Sequence, residues 1–175
     1  VKTAQDYGAP LKIVETVVAV NEARKLAMAD RVVAAHGGSV KGKTVAALGG
    51  SVKGKTVAAL GLTFKPNTDD MRDSPSLGIL PALVKAGATI RAFDPEGMDE
   101  AKKLMPDLTY CRDAYDCMTG ADAVAIITEW NEFRGLDFTR MKQLLRQPNV
   151  VDLRNVYNPA EMVEAGFRYS SIGRP

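Results

Sequence analysis

Histidine is nearly absent from this chain. His36 is the only one in 175 residues, and Cys111 and Cys117 are the only cysteines. No His/Cys/carboxylate cluster at ligand spacing remains to build a metal site, and none is expected. His36 falls near a predicted helix end, where capping or surface exposure suits it. Two thiols make no disulfide framework, so a reducing compartment, the cytoplasm, is the expected location. No apolar run approaches the ~20 residues of a membrane span, and no signal-peptide pattern opens the chain. Neither charge sign dominates: 23 Lys and Arg face 21 Asp and Glu, a net charge of +2. That balance offers no general polyanion surface, so nucleic acid is not an expected partner. What is present, 46% hydrophobic and 25% charged residues, suits one globular domain with a sizeable core.

The chain starts on Val1 rather than Met and reads as a piece of something longer. Pro10 is well placed in the first turn of a helix. Residues 11–36 then run without Pro or Gly, and their apolar side chains (Leu11, Val14, Val17, Val18, Val20, Leu26, Val32, Val33) fall on more than one face. A long helix buried on several sides is predicted. Further on, apolar runs of strand length at 56–60, 88–93, 108–110, 123–127, 149–152 and 167–172 alternate with helical stretches at 77–85, 100–105, 114–120, 138–146 and 160–165. Such alternation predicts an α/β fold, a Rossmann-like parallel sheet with helices on both faces.

Most of the chemistry sits in residues 61–76, GLTFKPNTDDMRDSPS, between the first strand and the next helix. A polar loop there lies at the carboxyl end of a parallel sheet, where open α/β folds hold ligands. Lys65 and Arg72 give it two fixed positive charges suited to a phosphorylated ligand; the plainer reading is that they solvate the loop. Asp152-Leu153-Arg154 follows another strand and sends Arg154 to the same edge, unless it is a surface arginine paired with a carboxylate. Thr128-Glu129-Trp130 follows a third; Trp130 reads as a packing anchor and Glu129 has no assigned role. Cys111 and Cys117 read as small buried residues, not catalytic groups.

The 61–76 run closely resembles the G-L-[TA]-F-K-x-(N/D)-T-x-D-x-R-x-(S/A) segment of the UDP-glucose/GDP-mannose dehydrogenase family, near the start of its C-terminal, nucleotide-sugar-binding domain. Residues 128–130 resemble that family's T-E-W, and 152–154 its Asp-x-Arg. The resemblance implies a parent enzyme that oxidises the C6 alcohol of a nucleotide sugar to a carboxylate. It would use two hydride transfers to two NAD molecules, with a cysteine holding the aldehyde-level intermediate. Phe64 and Lys65 match the family's substrate-loop positions, Arg154 its second substrate arginine, and Arg72 an arginine that contacts NAD. The run is most similar to the UDP-glucose branch, while the UDP-N-acetylmannosamine and GDP-mannose branches share its motifs. Also implied is a division into a linking helix, 1–36, packed in the core of a homodimer, and a nucleotide-sugar-binding domain, 37–175. The catalytic cysteine and the NAD-binding domain would lie upstream of Val1, so this chain alone should not turn over. A stand-alone nucleotide-binding module is the alternative.

Residues 37–48 and 49–60 are the same twelve, GGSVKGKTVAAL, in tandem. Two perfect short copies are not a repeat architecture. The family pattern needs one copy, directly before Gly61, so the second should supply the first strand and the first has no assigned place. Each copy satisfies G-x-x-x-x-G-K-[ST], but a phosphate-binding P-loop requires that Gly-Lys-Thr open a helix. Val-Ala-Ala-Leu followed by Gly61 suits a strand instead, and a P-loop ATPase is not expected. Gly-Gly-Ser in each copy is similar to the start of the family's G-G-S-C nucleophile loop, but Val40 and Val52 stand where the thiol would be.

Overall fold

The computed structural model describes residues 12–34 and 52–173. It opens with α1 (Lys12–Ala34), followed by β1 (Thr56–Leu60), α2 (Ser76–Lys85), β2 (Thr89–Phe93), α3 (Met98–Leu104) and β3 (Thr109–Tyr110). The second half holds α4 (Ala114–Met118), β4 (Ala123–Ile126), α5 (Asn131–Arg134), α6 (Phe138–Leu144), β5 (Asn149–Asp152), α7 (Pro159–Glu164) and β6 (Arg168–Ser171). The six strands form one sheet in the order β3-β2-β1-β4-β5-β6, with every pair parallel. The order reverses between β1 and β4, the switch point of a doubly wound sheet.

Strand periodicity divides the core. Val57 and Ala59 point to one face, with Ile90, Ala125 and Val151 of the neighbouring strands and Ile79, Leu80 and Leu83 of α2. Ala58 and Leu60 point to the other, against Cys117, Met118, Phe133, Met141 and Met162. β1, β4 and β5 are buried on both faces, which is why they read as continuous apolar runs rather than alternating ones. The edge strand β3 is only two residues long, a length that blunts edge-to-edge pairing.

α1 lies on the α2 face. It packs on α2, seats Ala29 and Val32 in the core, and reaches β6 through Arg31 Nη1, which donates to the Ser171 carbonyl at 2.9 Å. The described residues of α1 do not show the expected burial on several sides: Ala29 and Val32 are buried on one face while Ala27 is exposed, and residues 16–24 are exposed, with Val17, Val18 and Val20 at 53%, 45% and 59%. The observed strands match the expected ones to within a residue at either end. The short α5 had no expectation; it carries Phe133, fully buried, on a four-residue turn too short to show a helical period.

The second dodecamer supplies β1. Gly54 turns at φ +72°, and Lys55 N–H bonds back to Val52 O at 2.9 Å. Thr56 then begins a strand, so no helix N-terminus follows Gly-Lys-Thr and no P-loop forms there. The first copy, like His36, lies outside the described residues.

Gly61 ends β1 at φ +87°, and a Cβ there would stand 2.5 Å from Thr128 Cβ and 2.6 Å from Thr128 N. Only glycine lets the chains leaving β1 and β4 approach this closely. Gly61→Ala should therefore lower unfolding free energy by roughly 2–4 kcal/mol, from overpacking and left-handed backbone together. Urea denaturation measures it, and a change within about 0.5 kcal/mol, the size of an ordinary surface substitution, would contradict it.

Candidate functional site

Three loops meet at the carboxyl edge: residues 61–75 after β1, 127–130 after β4, and 153–158 after β5. Asp94, just past β2, joins the first two. Its carboxylate is fully buried and surrounded by donors. Oδ2 accepts from Leu62 N at 2.6 Å, Thr63 N at 3.1 Å and Trp130 Nε1 at 3.1 Å, with Thr63 Oγ1 also at 3.1 Å. Oδ1 accepts from Glu96 N at 3.1 Å and Gly97 N at 2.8 Å. A carboxylate is acceptor-only when ionised, so converging N–H groups satisfy it without a counter-ion. Thr128 Oγ1 adds a second tie between the loops, donating to Thr63 O at 2.7 Å.

The 61–75 loop is held from within as well. Ser74 Oγ donates to Leu62 O at 2.6 Å, Phe64 N to Asp70 O at 2.8 Å, and Asp70 N to Thr68 Oγ1 at 3.1 Å. Asn67 and Asp73 take left-handed φ of 61° and 57° to turn it. With its backbone fixed, the loop points Phe64, 48% exposed, outward. Lys65 beside it is also exposed and forms no ion pair among the described residues. Phe64 borders a hollow of about 410 Å³ shared with Val18, Lys25 and Met28 of α1.

Arg72 faces a different hollow, of about 620 Å³, with Leu77, Glu100 and Leu104. It is almost fully exposed and grips Asp70 through Nε at 2.9 Å and Nη2 at 2.8 Å. Those bonds hold the Asp70 carboxyl down at about 2.

Arg154 occupies the same edge as Lys65, because β5 and β1 run parallel on either side of β4. Its backbone N donates to Asp152 Oδ1 at 3.0 Å. The buried Asp152 accepts through Oδ2 from Tyr157 N at 3.0 Å and Tyr169 OH at 2.7 Å. The next residue, Asn155, turns at φ 56° and exchanges two hydrogen bonds with the Ile172 backbone. The guanidinium is held by Glu129: Nε donates to Oε2 and Nη2 to Oε1, the latter at 2.6 Å. Arg154's hydrogen bonds hold the Glu129 carboxyl below its ordinary value, against partial burial that raises it. The pair is therefore fully present above the ordinary Glu pKa of 4.5 and is lost as pH falls through the lowered folded value.

The structure thus brings Phe64, Lys65 and Arg154 to one edge and sets Arg72 to the side. Trp130 is an anchor, as its sequence position suggests, but also a hydrogen-bond donor. Two residues went unread: Asp94, whose signal was an Asp-Pro immediately after a strand, and Glu129 as the partner of Arg154. Cys111 and Cys117 are both buried. Cys117 donates to Arg91 O at 3.1 Å, and burial pushes its thiol well up. Among the described residues no His, Cys, Asp and Glu cluster is placed to hold a metal.

The described residues at this sheet's own crevice do not form the usual dinucleotide-binding turn. In dinucleotide-binding sheets a glycine-rich turn after β1 opens a helix, and an acid past β2 takes the ribose hydroxyl. Here the loop after β1 runs to Ser76 before a helix begins, and Asp94, the acid in question, has its oxygens turned inward.

Residues 58–159 match the UDP-glucose/GDP-mannose dehydrogenase family, UDP binding domain. The whole chain is 53% identical to UDP-glucose 6-dehydrogenase of Rhizobium meliloti (strain 1021), covering 37% of that protein. It is 37% identical over 173 residues to UDP-glucose 6-dehydrogenase TuaD of Bacillus subtilis (strain 168), covering 98% of this chain and 35% of that one. The chain thus spans about a third of the length of these curated relatives. Among solved structures, a UDP-glucose dehydrogenase from the archaeon Pyrobaculum islandicum superposes with a TM-score of 0.67 at 28% identity, over 97% of this chain and 34% of that one. GDP-mannose dehydrogenase of Pseudomonas aeruginosa shares the fold, with a TM-score of 0.66 at 16% identity over 98% of this chain and 36% of that one.

Trp130 is the only tryptophan in the chain and reports the state of the Asp94 junction directly. Asp94→Asn turns an amide toward donors and should cost about 3 kcal/mol of stability. It should also shift Trp130 emission to the red. Unchanged emission with unchanged stability would refute the junction's role.

Proposed function

The chain belongs to the UDP-glucose/GDP-mannose dehydrogenase family, and from that premise we propose that it binds the UDP-sugar in an enzyme that oxidises UDP-glucose to UDP-glucuronate. The observation that carries this reading is the convergence of the Phe64–Lys65 loop and Arg154 on one sheet edge, with Asp94 fixing the loop's backbone. Lys65 supplies an exposed cation, without an ion pair among the described residues, for the diphosphate, and charge-assisted hydrogen bonds of that kind contribute roughly 1.5–3 kcal/mol each. Phe64 offers an exposed ring beside it for an apolar or planar part of the ligand. The 53% identity to a UDP-glucose 6-dehydrogenase favours glucose over the other sugars the family handles.

NAD supplies the hydride acceptor in this reaction. It is held mainly outside this chain, whose crevice lacks a glycine-rich turn opening a helix after β1, and Arg72 adds a contact at the margin. No residue here is assigned to the chemical step, so the chain alone binds without turning over. The valines that α1 leaves exposed, Val17, Val18 and Val20, support a homodimer with α1 linking residues 1–36 to a second copy. Leaving them wet costs about 25 cal/mol per Å². A cytoplasmic location accords with a nucleotide-sugar substrate and two reduced thiols.

Calorimetric titration tests the site. UDP-glucose should bind this chain, more weakly than it binds a full-length enzyme, and Lys65→Ala should lower the affinity about tenfold or more, the equivalent of one charge-assisted hydrogen bond. Equal affinity in parent and variant would remove Lys65 from the site. Absorbance at 340 nm with UDP-glucose and NAD should show no NADH formed by the chain alone.

A further inference from the structure

Strand order places the β4 loop, and with it Glu129, between the strands that carry Lys65 and Arg154. Two cations on one edge would both attract phosphate. Glu129 distinguishes them. It engages two guanidinium nitrogens of Arg154, while Lys65 forms no ion pair among the described residues. The geometry is fork-on-fork, which fixes the guanidinium plane as well as its position. The Glu129 and Arg154 side chains are about a quarter and a third exposed, so the pair faces the edge and is not sealed in the core.

A guanidinium has five N–H donors. With Nε and one Nη2 hydrogen committed to Glu129, Arg154 keeps three to offer, on a pair with no net charge. Such a group donates well to hydroxyl oxygens and has little attraction for a diphosphate. We propose that Glu129 is a positioning residue: it locks and neutralises Arg154, so that Arg154 reads the hydroxyl-bearing sugar of the ligand while Lys65 takes the diphosphate. This division of labour rests on the UDP-sugar reading of the site.

Titration of the chain with UDP-glucose and, separately, with inorganic pyrophosphate tests it. Glu129→Gln should lower UDP-glucose affinity about tenfold, the loss expected for one hydrogen bond to a charged group. The same variant should bind pyrophosphate as tightly as the parent or more tightly, because Arg154 regains its charge. Arg154→Gln should reproduce the UDP-glucose loss without any pyrophosphate gain, and Lys65→Ala should weaken both ligands. A merely structural role for Glu129 would weaken both ligands alike, and that result, or no change in either, overturns the proposal. A parent that binds UDP-glucose but not pyrophosphate overturns the assignment of Lys65. A parent that binds neither removes the UDP-sugar reading itself, and this inference with it.

Discussion

One buried carboxylate organises the site. Asp94 gathers N–H groups from its own turn, from the loop after β1 and from Trp130 after β4. These loops have no regular hydrogen-bonding partner once they leave the sheet, and a buried unpaired N–H costs about 1–3 kcal/mol. The same few oxygens satisfy several donors at once and thereby fix the loops relative to each other. Gly61, pressed against Thr128, closes the contact from the strand side. The junction fixes the backbone that leaves Phe64 and Lys65 exposed.

On the proposed reading, this use of Asp94 lets a sheet with the strand order of a dinucleotide-binding fold serve another ligand. The acid that would read a ribose is spent on the architecture, and a long self-bonded loop stands where a glycine-rich turn would open a helix. On that reading phosphate recognition passes from a helix N-terminus to side chains on loops. Lys65, exposed and without an ion pair among the described residues, is suited to that, whereas Arg154 arrives held by Glu129. A strand order alone does not name a ligand, and the side chains at its carboxyl edge decide.

Much of the sheet was legible in the sequence because its central strands are apolar on both faces and bounded by Gly, Asp or Asn. The run 123–127 could hardly be anything else. α5 was not legible, since four residues show no period. The exposure of residues 16–24 was also not legible: apolar residues around a helix state that burial is wanted, but not what covers it. At the site, Phe64, Lys65 and Arg154 could be placed on one edge from strand ends alone. Long-range partners could not, because nothing local in Asp94-Pro95 or Thr128-Glu129-Trp130 reveals a contact 25 or more residues away.

The central claim is that the carboxyl edge between β1 and β5 holds the UDP-sugar. Amide chemical-shift mapping of the ¹⁵N-labelled chain on titration with UDP-glucose tests it most directly. Perturbations should concentrate at residues 62–68, 128–130 and 153–155, with the Trp130 indole N–H among them. Perturbations confined to the β3 or β6 edges, or to the opposite, amino-terminal end of the sheet, would contradict it.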